Sequence, residues 1–168
     1  MYLKKIKTHT VLSKLVRERC EEHGVCVLVD ERIENEHFVV LKVDDFYNSL
    51  NVKIRPKSPD CLIIQKCNQS DYALTVAELK DISQASRFEL KHIYEKFETC
   101  FDDFIGKRFD DILKIEFKRV KLYFVSKIEI YKRDATLKLK LANKPFYYNG
   151  KKYYIEPQMP SPAIKPCY

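Results

Sequence analysis

Pro59-Asp60-Cys61-Leu62-Ile63-Ile64 and Tyr72-Ala73-Leu74-Thr75-Val76-Ala77-Glu78-Leu79-Lys80 are two apolar runs joined through the polar residues Asn68-Gln69-Ser70-Asp71. Their β-rich composition and the turn between them predict a hairpin. Side chains alternate faces along a strand, so Glu78 and Lys80 point one way while Leu79 points into the core. If the hairpin brings Asp60 beside them, two carboxylates and an ammonium group converge. That donor set suits a divalent cation with a lysine next to it. The simpler alternative is a surface hairpin with an ordinary ion pair, which is common and contributes little.

Glu-x-Lys occurs twice more, at Glu89-Leu90-Lys91 and Glu116-Phe117-Lys118. Glu89 lies in a helical pattern, where residues two apart diverge around the cylinder. Glu116 is remote from the sole Pro-Asp pair. Only Glu78 ends a β-type run able to pair with Asp60.

Pro59-Asp60 followed by Glu78-Leu79-Lys80 resembles the PD-(D/E)xK nuclease superfamily. The resemblance implies an α/β (α+β) fold with a restriction-endonuclease-like core of order α-β-β-β-α-β. Its mixed central sheet would be flanked by helices, with a strand parallel to the one bearing Glu78. A basic, β-rich C-terminal extension would follow. It implies catalytic Asp60, Glu78 and Lys80. Mg²⁺, replaceable by Mn²⁺, would be held by Asp60, Glu78 and the Leu79 carbonyl. Lys80 would orient or deprotonate water, or stabilise the transition state. Many members use a further acid from the first helix, here Glu18 or Glu22, with Glu21 nearby; a solvated helix face is the plainer reading of these. Arg55, Lys57, Gln84 and Arg87 flank the motif and are candidates for contact with a nucleic-acid backbone.

With 168 residues, one domain is expected, with a core over about 10–131, a hairpin extension over 132–156 and a Pro-rich tail over 157–168. Hydrophobic residues make up 45%, enough for a core. No apolar run approaches the roughly 20 residues of a membrane span. The first residues are too polar for a signal peptide. Glycine is scarce, and no phosphate-binding glycine loop is present. The six cysteines form no Cys-x-x-Cys pair and the four histidines are scattered, which disfavours structural zinc. The cysteines read as small core residues in a reduced intracellular, cytoplasmic setting.

The net charge of +7 is uneven. Residues 1–106 carry 16 Lys/Arg against 18 Asp/Glu; residues 107–168 carry 15 against 6. A basic C-terminal third suits a polyanion, or simply a lysine-rich soluble surface. Beside the acidic motif, DNA is the favoured partner and RNA the other candidate, with no membrane role. Cutting both strands implies a homodimer or higher oligomer. The expected function is metal-dependent endonuclease activity of restriction, homing or junction-resolving type. The competing functions are an inactive nucleic-acid-binding module and a lysine-rich interaction protein.

Along the rest of the chain, Val11, Leu12, Leu15, Val16 and Cys20 predict a helix over about 10–23, ended by Gly24. Val25–Val29 and Phe38–Val43 read as strands, and 44–58 as a loop or short helix. Ser86 and Glu89 form a capping-box pattern. Leu90, Tyr94, Phe97, Phe101 and Ile105 then mark an amphipathic helix ended by Gly106. Residues 109–120 are ambiguous. Leu122–Tyr131 and the alternating Leu137–Leu141 read as strands. Asn149-Gly150 suits a type I′ hairpin turn. Its tyrosines, Tyr147, Tyr148, Tyr153 and Tyr154, are either cross-strand packing or part of a groove wall. The tail reads as extended or frayed.

Overall fold

A computed structural model describes residues 2–81, 89–127 and 129–167. The chain begins with helices α1 (Tyr2–Thr8) and α2 (Leu12–Leu15), then short strands β1 (Val16–Arg17) and β2 (Cys20–Glu22). Strands β3 (Val25–Val29) and β4 (Phe38–Lys42) lead into helix α3 (Val43–Ser49). The central hairpin is β5 (Cys61–Lys66) and β6 (Tyr72–Lys80). Helix α4 (Leu90–Glu98) continues as a π-helical segment, Thr99–Arg108, followed by α5 (Asp110–Leu113) and strand β7 (Arg119–Ser126). The C-terminal part holds α6 (Glu129–Arg133), α7 (Leu137–Asn143), β8 (Phe146–Tyr148), β9 (Lys151–Tyr153), β10 (Ile155–Gln158) and β11 (Ala163–Ile164).

A six-stranded mixed sheet runs β1-β4-β5-β6-β7-β10. Its first four strands are mutually antiparallel, whereas β7 and β10 run parallel to β6. A smaller sheet has the order β11-β3-β2. The alternation along β5 explains how the layers stack. Leu62 and Ile64 join the larger apolar cluster with Phe97, Phe101 and Phe104. Cys61 and Ile63 join a second cluster with Val25 and Val27 of the small sheet. The central strands are thus buried on both faces, which accounts for their near-continuous apolar runs.

The expected helix over 10–23 is shortened to α2. Val16 pairs with Leu41, and Cys20 pairs with Val27, so tertiary strand pairing overrides the helical stripe. Gly24 lies in a two-residue hairpin turn with His23, at φ 74° and 46°, rather than capping a helix. Leu137-Lys138-Leu139-Lys140-Leu141 is helical, not a strand. Leu137 and Leu141, four residues apart, are buried while Leu139 is 62% exposed. Gly106 lies inside the π segment rather than after it: a Cβ there would approach the Phe101 carbonyl oxygen to 2.8 Å. The C-terminal extension contains two helices besides its strands. The tail is not frayed in the structure, since β10 pairs with β7 and β11 with β3. Ser86 of the predicted capping box lies outside the described residues.

The cysteines also require correction. Cys20 is disulfide-bonded to Cys61, and Cys67 to Cys167; Cys26 and Cys100 are free. The reading as small core thiols therefore fits only Cys100, which is buried. Both disulfides fasten β5, at its start and just past its end, to the layer containing the small sheet. Among the described residues no helix is long and apolar enough to cross a membrane.

Candidate active site

The Asp60–Glu78 site forms where β5 begins and β6 ends. Cys61 pairs with Ala77, so the preceding Asp60 sits opposite Glu78. Asp60 is 7% exposed and Glu78 3%. Asp60 Oδ2 accepts the Leu79 backbone N–H at 2.6 Å. Leu79 itself packs its side chain into the apolar cluster under the small sheet, so the expected alternation holds. Glu78 Oε1 accepts a hydrogen bond from Lys96 Nζ of α4 at 2.5 Å. Its other oxygen, Oε2, has no hydrogen-bond partner among the described residues.

A second group of acids adjoins Asp60. Carboxylate oxygens of Glu22, Asp44 and Asp60 all lie within 4.8 Å of one another. Lys42, 8% exposed, stands among them, with Nζ 2.6 Å from Glu22 Oε2, 3.5 Å from Asp44 Oδ1 and 3.6 Å from Asp60 Oδ1. These side chains come from β2, the end of β4, the start of α3 and the start of β5. The backbone N–H of Val43 donates to the Asp60 carbonyl at 2.9 Å and ties the last two together.

The electrostatics follow from this crowding. Burial pushes the Glu78 carboxyl well above its ordinary value, Asp60 adds repulsion, and Lys96 opposes both. Burial likewise raises Asp44 to about 6, against the pull of Lys42 and with help from Asp60. The hydrogen bond from Lys42 lowers Glu22. Burial favours loss of the Lys42 proton, but Asp60, Glu22 and Asp44 together hold it on. Lys96 is also raised: burial acts against its charge, while Glu78 and then Asp60 outweigh it.

Four buried or half-buried acids face two ammonium groups, leaving two surplus negative charges when all are ionised. Together with the orphaned Glu78 oxygen, this donor set fits a hard divalent cation. A cavity of about 220 Å³ opens beside Glu78 and is lined by Lys57, Lys80, His92, Lys96 and Phe124. Glu89 lines it too, Lys57 is paired with Glu95 and Lys96 with Glu78, so the rim carries both signs, with Lys80 beside the acids.

Of the sequence-predicted residues, Asp60, Glu78, Leu79, Lys80 and Lys57 meet here. Glu22 also reaches the site, though from strand β2 rather than from a helix. Glu18 does not: it lines a separate cavity with Lys7, Arg17 and Asn35. Glu21 is paired with Arg19. Arg55 donates instead to Asn48 of α3. Gln84 and Arg87 lie outside the described residues. The tyrosine hairpin is at the other end of the sheet. Its Lys151 pairs with Glu116, just before β7, whereas Lys80 lies level with Ser126 at the end of β7.

Sequence reasoning missed Lys42, Asp44 and Lys96. Lys42 and Asp44 flank the strand-to-helix junction, and Lys96 neighbours the buried Phe97, but no local pattern singles them out. No family model, curated protein or solved structure matches the chain.

Proposed function

We propose that this chain is a metal-dependent endonuclease of the PD-(D/E)xK type, hydrolysing phosphodiester bonds in DNA. The observation that carries this reading is the pair of buried carboxylates, Asp60 and Glu78, side by side at one end of the hairpin, with Lys80 at the adjoining cavity. The order of elements supports it. With β1–β3, α3, the π-helical segment and α5 as insertions, the N-terminal helices, antiparallel β4-β5-β6, helix α4 and parallel β7 follow the α-β-β-β-α-β order of that superfamily's core.

Asp60 and Glu78 would hold Mg²⁺, or Mn²⁺ in its place. The ion supplies Lewis-acid polarisation of the scissile phosphate and a more acidic water. Lys80 orients the attacking water or balances charge building on the phosphate oxygens. Lys57 and Lys96, now paired with Glu95 and Glu78, line the same cavity and would meet a phosphodiester by exchanging those partners. Asp60 positions the catalytic strand through its bond to the Leu79 N–H. Cleavage of both strands calls for two such sites, hence a homodimer or higher oligomer. RNA would meet the same cavity.

A second reading is a nuclease-fold nucleic-acid-binding module without activity. It is favoured by one observation: Lys96 already pairs with Glu78, and Lys42 with Glu22, so internal cations partly satisfy these acids. Supercoiled plasmid incubated with the protein in Mg²⁺, Mn²⁺ or EDTA, beside Glu78→Ala, separates the two. Metal-dependent nicking or linearisation that vanishes in the variant supports the nuclease. Salt-sensitive DNA binding with no cleavage and no metal binding supports the module.

A further inference from the structure

We propose that the Lys42 ammonium occupies the place a second divalent ion would take, so that this site binds one divalent cation, held by Asp60 and Glu78. The inference rests on the metal-dependent reading of the site and specifies its stoichiometry. Paired-ion phosphodiesterases hold two cations about 3.5–4 Å apart, bridged by shared carboxylates. Here a carboxylate cage suited to one of them is already filled. Glu22, Asp44 and Asp60 surround Lys42 Nζ at 2.6, 3.5 and 3.6 Å. Nζ hydrogen-bonds Glu22 and sits as a compact point charge within 3.6 Å of the other two carboxylates.

Lys42 is not a surface lysine that swings aside. The residue is buried at the end of a central strand, pairs in register with Cys61, and precedes Val43, whose N–H is fastened to the Asp60 carbonyl. Vacating the cage would leave Glu22, Asp44 and Asp60 together in a poorly solvated place, which is unfavourable.

A buried oxygen of Asp44 in the cage also lacks a hydrogen-bond partner among the described residues, but the Glu78 side of Asp60 borders the cavity, where an ion can enter. Glu78 is almost wholly buried, and its Oε2 has no hydrogen-bond partner among the described residues. Lys96 engages only Oε1. A buried carboxylate oxygen without a partner costs free energy unless something meets it. Charge leads to the same count. With all four acids ionised, as a bound cation would favour, Glu22, Asp44, Asp60 and Glu78 exceed Lys42 and Lys96 by two negative charges, which one divalent ion cancels. A second ion would overshoot that balance before substrate arrives.

The test is titration of the full-length protein with Mn²⁺, following free Mn²⁺ by electron paramagnetic resonance. One equivalent per chain is expected for the wild type. Lys42→Met is expected to take up two, because it empties the cage and keeps its three acids. Lys42→Gln, which retains a donor for Glu22, serves where circular dichroism shows Lys42→Met unfolded. Two equivalents in the wild type would overturn the role of Lys42 and leave the metal-dependent reading standing. One equivalent in the folded Lys42 variants would also overturn it. No bound Mn²⁺ in the wild type would sink the metal-dependent reading itself, and this inference with it.

Discussion

Asp60 Oδ2 accepts the backbone N–H of Leu79 at 2.6 Å, so the acid on one strand is fastened to the residue between Glu78 and Lys80 on the next. A one-residue slip of β5 against β6 would break that bond. It would also put Asp60 on the face opposite Glu78 and Lys80. Asp60→Asn keeps a carbonyl oxygen for Leu79 and removes the charge. It is expected to fold with nearly unchanged urea stability while losing metal-dependent cleavage. Asp60→Ala leaves the buried N–H unpaired and is expected to cost about 1–3 kcal/mol as well. Equal stability of the two variants in urea denaturation would contradict this role.

Lys80 is half-buried at the cavity and is not part of the inner ion-pair group. Lys80→Ala is expected to lower plasmid cleavage at least about a hundredfold, the range associated with a positioned proton-transfer or charge-stabilising group. Thermal unfolding and DNA binding by filter retention should change little. Unchanged turnover in that variant would remove Lys80 from the proposed chemistry.

Asp44 supplies a pH test. Burial raises its carboxyl to about 6 in the folded chain, whereas the unfolded value is about 4. Between those values the folded state holds the extra proton, so the Asp44 contribution to stability is complete below about 4 and is lost as pH rises through about 6. Asp44→Asn never acquires the charge. Its melting temperature relative to wild type, measured in EDTA, is expected to climb across that window and level off above it. A difference that stays flat, or falls, from pH 4 to pH 7 would show that Asp44 is not held protonated by its surroundings.

The Cys20–Cys61 disulfide closes a sequence separation of 41 residues and joins the strand of Glu22 to the residue after Asp60. By the chain-entropy relation a loop of that length is worth about 4 kcal/mol. Cys20→Ala combined with Cys61→Ala is expected to lower unfolding free energy by that order in urea. It should also weaken Mn²⁺ binding, since Cys61, the residue next to Asp60, is no longer fastened to β2. Reduction of wild type with a phosphine, which also opens Cys67–Cys167, should destabilise at least as much. A double variant as stable as the wild type would show that β2 is held by packing alone.

Gly106 tests the π-helical segment. A Cβ at this position would meet the Phe101 carbonyl oxygen at 2.8 Å, and backbone cannot yield as a flexible side chain can. Gly106→Ala is expected to destabilise the protein by about 1–3 kcal/mol, as overpacking does. In an ordinary exposed helix the same change would stabilise by up to about 1 kcal/mol. The sign of the shift in thermal unfolding therefore reports the geometry of this segment.

Much of the sheet was legible because its signals are local. Strands β3 and β4 and the β5–β6 hairpin appear as apolar runs bounded by polar turns, and Asn149-Gly150 adopts the positive φ angles of its hairpin turn. Where two periods competed, reading failed. Leu137-Lys138-Leu139-Lys140-Leu141 alternates like a strand, yet Leu137 and Leu141 are also one helical turn apart, and packing chose the helix. The stripe from Val11 to Cys20 fits a helix locally, but pairing with β4 and β3 divides it. The cysteines carried no spacing that reveals their partners, because disulfide pairing depends on where distant segments meet.

From sequence alone, Asp60, Glu78 and Lys80 could be placed at the ends of two adjacent strands, because alternation and a turn determine which side chains share a face. Tertiary structure alone decided that Lys42 stands among Glu22, Asp44 and Asp60, that Lys96 reaches Glu78, and that the tyrosine hairpin is distant from both. Those meetings join residues tens of positions apart. They arise from burying both faces of the central sheet, a requirement of the whole chain that no short periodicity records.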